Sequence, residues 1–307
     1  YDIKRIGLSA ETFTNWMPRV LGSMMIRPGL GYLGSTYNDA TAKCIPFVFS
    51  ITEKAIIEVT DSIVRVWVSD TPITRVAVST TLGAGTFLTA AATNASWQDD
   101  DEATAVSSWV SASRVGFTGT GSAAAKRTQQ VAVAAADIGV EHAIRVVVER
   151  GPITLMVGST AGGTDYIAET VLDTGTHSLA FTPTGTFYVR FKSLLERIVY
   201  LTSCTIESSG VMTLPAPWPA SALDALRYEQ SGDIIFIAAT GYQQRKIERR
   251  GARSWSVVLY QSDDGPFLTE NLTAITLTPS VLVGNGTLTA SNPVFRSTHV
   301  GALFSVT

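Results

Sequence analysis

The feature that most constrains this chain is a repeated pattern of short apolar runs between turn-forming residues. The runs are rich in β-branched and aromatic residues, and Gly, Pro, Asn or Asp stands between them. Such runs predict strands, because these side chains pack well on a pleated sheet. Apolar residues at helical spacing are nearly absent, so the pattern predicts an all-β protein. The clearest predicted strands are 44–50, 55–60, 63–69, 143–149, 153–158, 187–191, 234–239 and 255–260.

Composition and strand spacing divide the chain into a middle segment and two flanks. Residues 82–213 are rich in Ala, Ser, Thr and Gly, and their six or more strands are typical of a β-sandwich or jelly roll. Residues 45–69 and 226–260 each give three consecutive strands, a meander like one blade of a propeller. We therefore predict a propeller-like or meander platform domain, 1–81 together with 214–307, interrupted by an inserted jelly roll at 82–213.

Two turns in the middle segment allow specific predictions. Residues 144–148 and 154–157 flank Gly151-Pro152, which predicts that they pair as a hairpin. The Gly-rich loop 158–163 lacks the Lys of a phosphate-binding loop, and no helix pattern follows it. We interpret that loop as a hairpin connection that needs positive φ.

Charge and composition argue against several classes of function. Hydrophobic residues make up 45% of the chain and charged residues 16%, the opposite of a disordered protein. The net charge of −3 does not suggest a nucleic-acid surface, and we interpret the basic run 245–253 as a solvated strand face. We find no membrane span and no signal-peptide pattern. The chain begins at Tyr1, which is compatible with a piece of a longer protein.

The cysteines and histidines form no catalytic or metal-binding pattern. Cys44 and Cys204 are far apart in the sequence, and we expect two buried thiols, as in a protein matured in a reducing cytoplasm. None of His142, His177 and His299 neighbours a plausible nucleophile, and a packed histidine is the ordinary alternative. We therefore predict no enzymatic activity, no catalytic residues, no metal and no cofactor.

The acidic cluster 99–102 and the tryptophans near it are the remaining candidate site. The cluster lacks the spacing and the central Gly of an EF-hand, so a solvated loop is the simpler interpretation. Carboxylates beside exposed aromatic rings can bind a sugar, whereas indole rings are more often part of a core. The candidate glycan-binding residues are Trp97, Trp109 and Asp99.

Motifs in both flanks resemble those of bacteriophage tail nozzle (tail tubular) proteins. Residues 15–31, Asn-Trp-Met-Pro-Arg-Val-Leu-Gly-Ser-Met-Met-Ile-Arg-Pro-Gly-Leu-Gly, are similar to an N-terminal signature that precedes a strand beginning with Pro-Phe, here 45–50. The downstream match combines a Tyr-x-Gln-Ser-x-Asp strand, an Arg-Lys strand and a Trp strand before an Asp-Gly-Pro turn. These elements are residues 226–236, 244–247, 254–255 and 264–267.

This resemblance implies a virion structural protein. The chain would be one subunit of a hexameric ring at the distal end of a short phage tail, around the DNA ejection channel. Its expected partners are further copies of itself, an adaptor, tail fibres and passing DNA that is not bound sequence-specifically. The expected location is the virion tail, after assembly in the host cytoplasm. Strands 64–68 and 255–260 carry few charges, so we also predict exposed strand edges that ring contacts would cover.

The middle segment resembles the jelly roll of carbohydrate-binding modules. The resemblance rests on 141–149, 155–159, 176–181 and 198–207. Such modules often hold a structural calcium through an Asp in the last strand pair, but residues 201–206 contain no acid, so we expect no metal there. The alternative function is a receptor- or glycan-binding tail protein that recognises a host-surface glycan through this insertion.

Overall fold

A computed structural model of the chain describes residues 14–19, 23–29, 31–111, 113–261, 271, 273–282, 285–300, 302 and 304–306. The chain divides into two compact units, Tyr1–Ser35 and Thr36–Thr307. Antiparallel sheets dominate the structure, so the predicted all-β fold is confirmed. The turn at 264–267 lies outside the described residues.

Most elements are strands of two to ten residues. The first unit contains β1 (Trp16–Pro18) and β2 (Met24–Ile26). The rest of the first flank, residues 36–81, contains β3 (Lys43–Val48), β4 (Lys54–Thr60), β5 (Ile63–Val68), β6 (Thr71–Pro72) and β7 (Thr74–Arg75). The middle segment contains helix α1 (Ala90–Ser96) and strands β8 (Gln98–Asp99), β9 (Val106–Val110), β10 (Arg114–Thr118), β11 (Ala125–Val131), β12 (His142–Arg150), β13 (Ile153–Gly158), β14 (Ile167–Leu172), β15 (Gly175–Phe181), β16 (Phe187–Ser193), β17 (Val199–Ile206) and β18 (Gly210–Val211). The second flank contains β19 (Leu214–Pro215), β20 (Arg227–Ser231), β21 (Ile234–Ala239), β22 (Tyr242–Gly251), β23 (Ser254–Leu259), β24 (Leu277–Pro279) and β25 (Leu288–Ala290). Short 3-10 turns span Tyr37–Asp39, Ala135–Asp137, Ala220–Ala225 and Ser297–His299.

A nine-stranded antiparallel sheet, the central sheet, joins strands of the middle segment to strands of the second flank. Its order is β20-β21-β22-β23-β15-β12-β17-β10-β9. The two groups of strands meet where β15 pairs with β23, over the four residue pairs from Gly175–Val258 to Ser178–Trp255. We call this joint the seam.

A five-stranded sheet, the sandwich sheet, packs against one face of the central sheet. Its order is β14-β13-β16-β11-β8. Alternate residues of β16 are buried, as expected when one face of a strand packs inside a sandwich. The shared interior, the sandwich core, is rich in aromatic and β-branched residues and includes Phe117, Ile144, Leu155, Phe187 and Phe191.

A second five-stranded sheet, the flank sheet, packs on the second-flank part of the central sheet. Its order is β19-β5-β4-β3, with β6 beside β5. In the flank core, Phe47 meets Trp255 edge to face, with ring centroids 5.1 Å apart. Trp255 pairs with Ser178, whereas the neighbouring Leu179 belongs to the sandwich core. Because successive side chains point to opposite faces, the flank sheet and the sandwich sheet lie on opposite faces of the central sheet.

Several predictions of local structure are confirmed. Strands β3 to β5 form one antiparallel meander and β21 to β23 another, to which the structure adds β20 as a fourth strand that the pattern did not predict. The Gly-rich loop joins β13 and β14 as a hairpin, and Gly162 has φ +79°. The predicted domain bounds stay a prediction, since Thr36–Thr307 forms one compact unit that contains both cores. Within the described part of the chain no sheet closes on itself.

Two local predictions are wrong. Strands β12 and β13 do not pair across Gly151-Pro152, because β12 lies in the central sheet and β13 in the sandwich sheet. A Gly-Pro turn is found both in hairpins and in connections between two sheets, so the local sequence does not tell these two structures apart. Cys204 is fully buried, but Cys44 is exposed, because it alternates with the inward-facing Ile45 in β3. Burial raises the pKa of the Cys204 thiol.

The prediction of exposed edges at 64–68 and 255–260 is also wrong. Strand β5 lies between β4 and β19, and β23 lies between β22 and β15. The second neighbour of each strand is distant in sequence, as in the pair Val64–Leu214. Local charge patterns therefore misidentified two interior strands as edges.

Candidate functional site

The three residues predicted to bind a glycan do not share one open surface. Trp97 follows α1 and is only 1% exposed, with its ring centroid 5.8 Å from that of Phe191 in the sandwich core. Its Nε1–H donates to the carbonyl of Gly83 at 3.1 Å. Trp97 therefore has no open ring face for a sugar, and its role in this structure is packing.

Trp109 and Asp99 are more accessible than Trp97. The half-buried Trp109 in β9 donates its Nε1–H to the carbonyl of Phe87 at 2.7 Å. Asp99 in β8 is exposed, and its carboxylate lies 3.5 Å from the guanidinium of Arg127. Since β8 and β9 belong to different sheets, no single strand face presents both side chains. A glycan site at these residues stays a prediction.

The carboxylates of the acidic cluster bond to groups around strand β11. Asp100 pairs with Arg190 at 3.1 Å, and Asp101 accepts the backbone N–H of Lys126 at 2.5 Å. Glu102 pairs with the Lys126 side chain, and this hydrogen bond holds the pKa of Glu102 below its usual value. The cluster thus fastens the loop to the sandwich sheet. Among the described residues, no group of three His, Cys, Asp or Glu side chains could hold a metal.

A buried histidine–serine pair in the seam escaped the sequence analysis. The Nδ1 of His177 lies 2.8 Å from the hydroxyl of Ser256, and its Nε2 lies 2.9 Å from the carbonyl of Asp173. Burial lowers the pKa of His177 to about 4, so the ring is neutral. Its Nε2–H then donates to the backbone carbonyl of Asp173, and its Nδ1 accepts a hydrogen bond from the hydroxyl of Ser256.

This pair has the spacing of a base and a nucleophile but no access to a substrate. His177 and Ser256 are both fully buried, each with 0% of its surface exposed, whereas a nucleophile must be reached by its substrate. They lie 79 positions apart in the chain, so no local pattern could have revealed them. Their role here is to join β15 to β23 across the seam.

Gln230 closes part of the edge of the flank sheet. Its side-chain Nε2 donates to the carbonyl of Val48 at 2.8 Å, and its Oε1 accepts the Val48 N–H at 3.1 Å. Pro46 of the same edge strand has no N–H to offer. Strand addition from outside is therefore blocked at these positions of β3.

Arg249 joins the basic run of β22 to the turn between β3 and β4. Its guanidinium carbon lies 3.9 Å from the ring centroid of Phe49. The same group lies 2.6 Å from Glu53 and 3.4 Å from Asp233. Further along the run, Lys246 also has acidic partners. The basic run is thus largely neutralised within the chain, and the interpretation as a solvated face was incomplete.

A buried polar network links the first flank to the middle segment. Arg75 donates through Nε to Glu207 at 2.7 Å and through Nη2 to Ser178 at 2.7 Å. The second carboxylate oxygen of Glu207 lies 2.7 Å from Arg145. The side chains of Arg75 and Glu207 are 3% and 5% exposed. Because Ser178 faces the same side of the central sheet as Trp255, the network borders the flank core.

Two clefts open on the surface of the second unit. One, of about 420 Å³, lies between residues 79–83 and the end of β11, and its lining residues carry no charge. Its polar lining includes Ser79, Thr81, Ser96 and Gln130. The other, of about 390 Å³, lies between β14 and the turn that joins β22 to β23.

Comparisons of the chain with protein-family models, with curated proteins and with solved structures each give no match. Within the described ranges, no helix is both long enough and apolar enough to cross a membrane.

Proposed function

We propose that this chain is a virion structural protein, a subunit of a tail nozzle ring that surrounds the DNA ejection channel. The supporting observation is that strand 45–50 and the downstream motifs within 226–255 contribute to one core. Trp255 packs on Phe47, and Gln230 bonds to Val48 from 182 positions away. These residues belong to strand 45–50 and to the downstream motifs, so this part of the resemblance covers segments that fold together.

The strand order supports the proposed jelly roll in the middle segment. Strands β10-β17-β12-β15 are neighbours in the central sheet, and β11-β16-β13-β14 are neighbours in the sandwich sheet. Between β10 and β17, every connection passes from one sheet to the other except the β13–β14 hairpin. Two four-stranded sets joined in this way are typical of a jelly roll. The flank meanders would form the propeller-like platform.

A structural role without chemistry fits the candidate groups. The His177–Ser256 pair is buried, and most carboxylates of the acidic cluster are paired. A net charge of −3 suits a channel wall that lets DNA pass without holding it. We propose an adaptor, tail fibres and further copies of the chain as partners, with assembly in the host cytoplasm before incorporation into the tail.

Sedimentation velocity and negative-stain imaging of the purified chain test the proposal. We expect a closed ring of several copies, six by the resemblance, with the jelly roll on its periphery. A chain that stays monomeric at the highest concentration it tolerates would contradict the proposed function. Turnover of a polysaccharide or of peptidoglycan, abolished by Asp101→Asn, would contradict the absence of enzymatic activity.

Glycan binding through the middle segment is a second candidate function. The cleft beside β11 favours it, because hydroxyl and amide groups without charge suit a neutral sugar. A glycan array with the whole chain, repeated with Gln130→Ala and with Trp109→Ala, tests both possible sites. Loss with Gln130→Ala alone would assign the cleft, and loss with Trp109→Ala alone would assign the predicted residues. No binding at all would exclude this candidate.

A further inference from the structure

The N-terminal hairpin exposes apolar side chains on both of its faces. Trp16 pairs with Ile26 and Met17 with Met25, so adjacent pairs point to opposite faces. The exposed fractions are 48% for Trp16, 48% for Met17, 54% for Met24 and 67% for Ile26. A hairpin of only two short strands is marginally stable in water by itself. Apolar exposure of this kind in an ordered element indicates a surface that a partner covers.

Charge identifies a second copy of the chain as a suitable partner. Residues 1–35 contain four basic and two acidic residues, a net charge of +2. The whole chain has a net charge of −3, so the remaining residues carry −5. A basic hairpin is therefore attracted to the acidic remainder of a like molecule. Arg19 and Arg27 of the hairpin itself contribute two of the positive charges.

The hairpin geometry is fixed well enough to act as a docking element. The N–H of Arg27 donates to the carbonyl of Asn15 at 2.9 Å, and its Nε donates to the Asn15 side chain at 2.8 Å. The N–H of Arg19 donates to the carbonyl of Ser23 at 2.7 Å. These bonds order the hairpin without covering its apolar side chains.

We propose that the hairpin formed by β1 and β2 is an assembly arm that packs on a neighbouring copy of this chain. The apolar side chains enter the contact, and the arginines face the acidic surface of the neighbour. The inference rests on the proposed ring and names the element that holds its subunits together.

The test compares the self-association of the chain with that of Trp16→Ser/Ile26→Ser by sedimentation velocity. We expect the dissociation constant of the subunit contact to rise by about tenfold or more, because two large apolar side chains lose their burial. Ile51→Ser is the matched control, since Ile51 is 92% exposed and lies outside the arm. Its constant should stay within about twofold of the unsubstituted chain. Arg19→Glu and added salt should also weaken association.

The outcomes separate the arm from the ring. A monomeric unsubstituted chain would contradict both the proposed function and the arm. A ring that forms equally well with Trp16→Ser/Ile26→Ser would overturn the arm and leave the proposed function standing. Binding of the chain to anionic lipid vesicles that this double variant abolishes, with subunit association unchanged, would assign the hairpin to a membrane surface and overturn the proposal.

Discussion

The sandwich core and the flank core are built from the chain in different ways. The sandwich core takes its residues from one continuous stretch, between Phe87 and Cys204. The flank core combines Ile45 to Ile73 with Met212 to Val257, on either side of that stretch. Closing a longer loop costs little extra, about 0.6 kcal/mol for each doubling of its length. A folded sandwich can therefore be inserted into the flank core at a small entropic cost.

The two cores also differ in the sequence separation of the polar contacts around them. Around the flank core, polar side chains make contacts between residues far apart in sequence, as Gln230 does with Val48 and Arg75 with Glu207. At the sandwich, the acidic cluster bonds mainly to residues of β11, which lie fewer than about 30 positions away in the chain. The bond between Asp100 and Arg190 is the long-range exception. The flank core thus depends more on long-range polar links than the sandwich core does.

The largest expected effect comes from removing one indole from each core. Trp255 and Trp97 are each 1% exposed, so replacing either by Ala should lower the free energy of unfolding by about 4 kcal/mol. If the cores are separate, Trp255→Ala should lower hydrogen-exchange protection mainly in β21 to β23, and Trp97→Ala mainly in β11 and β16. An equal loss of hydrogen-exchange protection in all of these strands, in both variants, would mean that the two cores unfold as one.

A smaller loss is expected from Glu207→Gln in the buried network. The change is nearly isosteric, but it removes the buried anion of Arg75, whose side chain is 3% exposed, and leaves that guanidinium the longer 3.3 Å contact with the more exposed Glu141. The free energy of unfolding, measured with urea, should fall by about 3 kcal/mol. Glu149→Gln is the control, because Glu149 is 43% exposed in its pair with Arg114, and its loss should stay below about 1 kcal/mol. Equal losses would show that the network does not help to hold the flank core.

The strands that could be predicted from the sequence are those with local partners. Alternation and turn residues were enough to predict β3 to β5 and β21 to β23, because those strands pair with their neighbours in sequence. The crossing at Gly151-Pro152, the interior position of β23 and the His177–Ser256 contact each depend on partners that local sequence does not specify. Trp97 is ambiguous for another reason, since an indole suits a core and a sugar site equally well.

The seam between the cores should be sensitive to acid through His177. Its pKa of about 4 in the folded chain is below the ordinary 6.5, so the unfolded chain takes up the proton first as pH falls. The stability that His177 contributes is complete above pH 6.5, falls between 6.5 and 4 and is constant below that range. The total loss should reach about 3 kcal/mol.

The matched variant for this prediction is His177→Gln. Urea unfolding at neutral pH and at about pH 4.5 should show a smaller loss of stability in the variant than in the unsubstituted chain. Both chains share every other titrating group, so the difference isolates His177. Identical pH dependence would mean that His177 takes up its proton equally easily in the folded and unfolded chains.

The smallest expected effect tests the link between Gln230 and the edge of the flank sheet. Gln230→Ala removes both bonds to Val48, and because this site is exposed the free energy of unfolding should fall by only about 1 kcal/mol. The more specific result is local, since the Val48 amide should exchange faster while the sandwich core keeps its protection. The freed edge of β3 should also make the chain more prone to aggregate through strand pairing. Gln243→Ala, at an exposed position of β22, should change none of these measurements. Unchanged exchange at Val48 would show that the amide of Gln230 does not protect this edge.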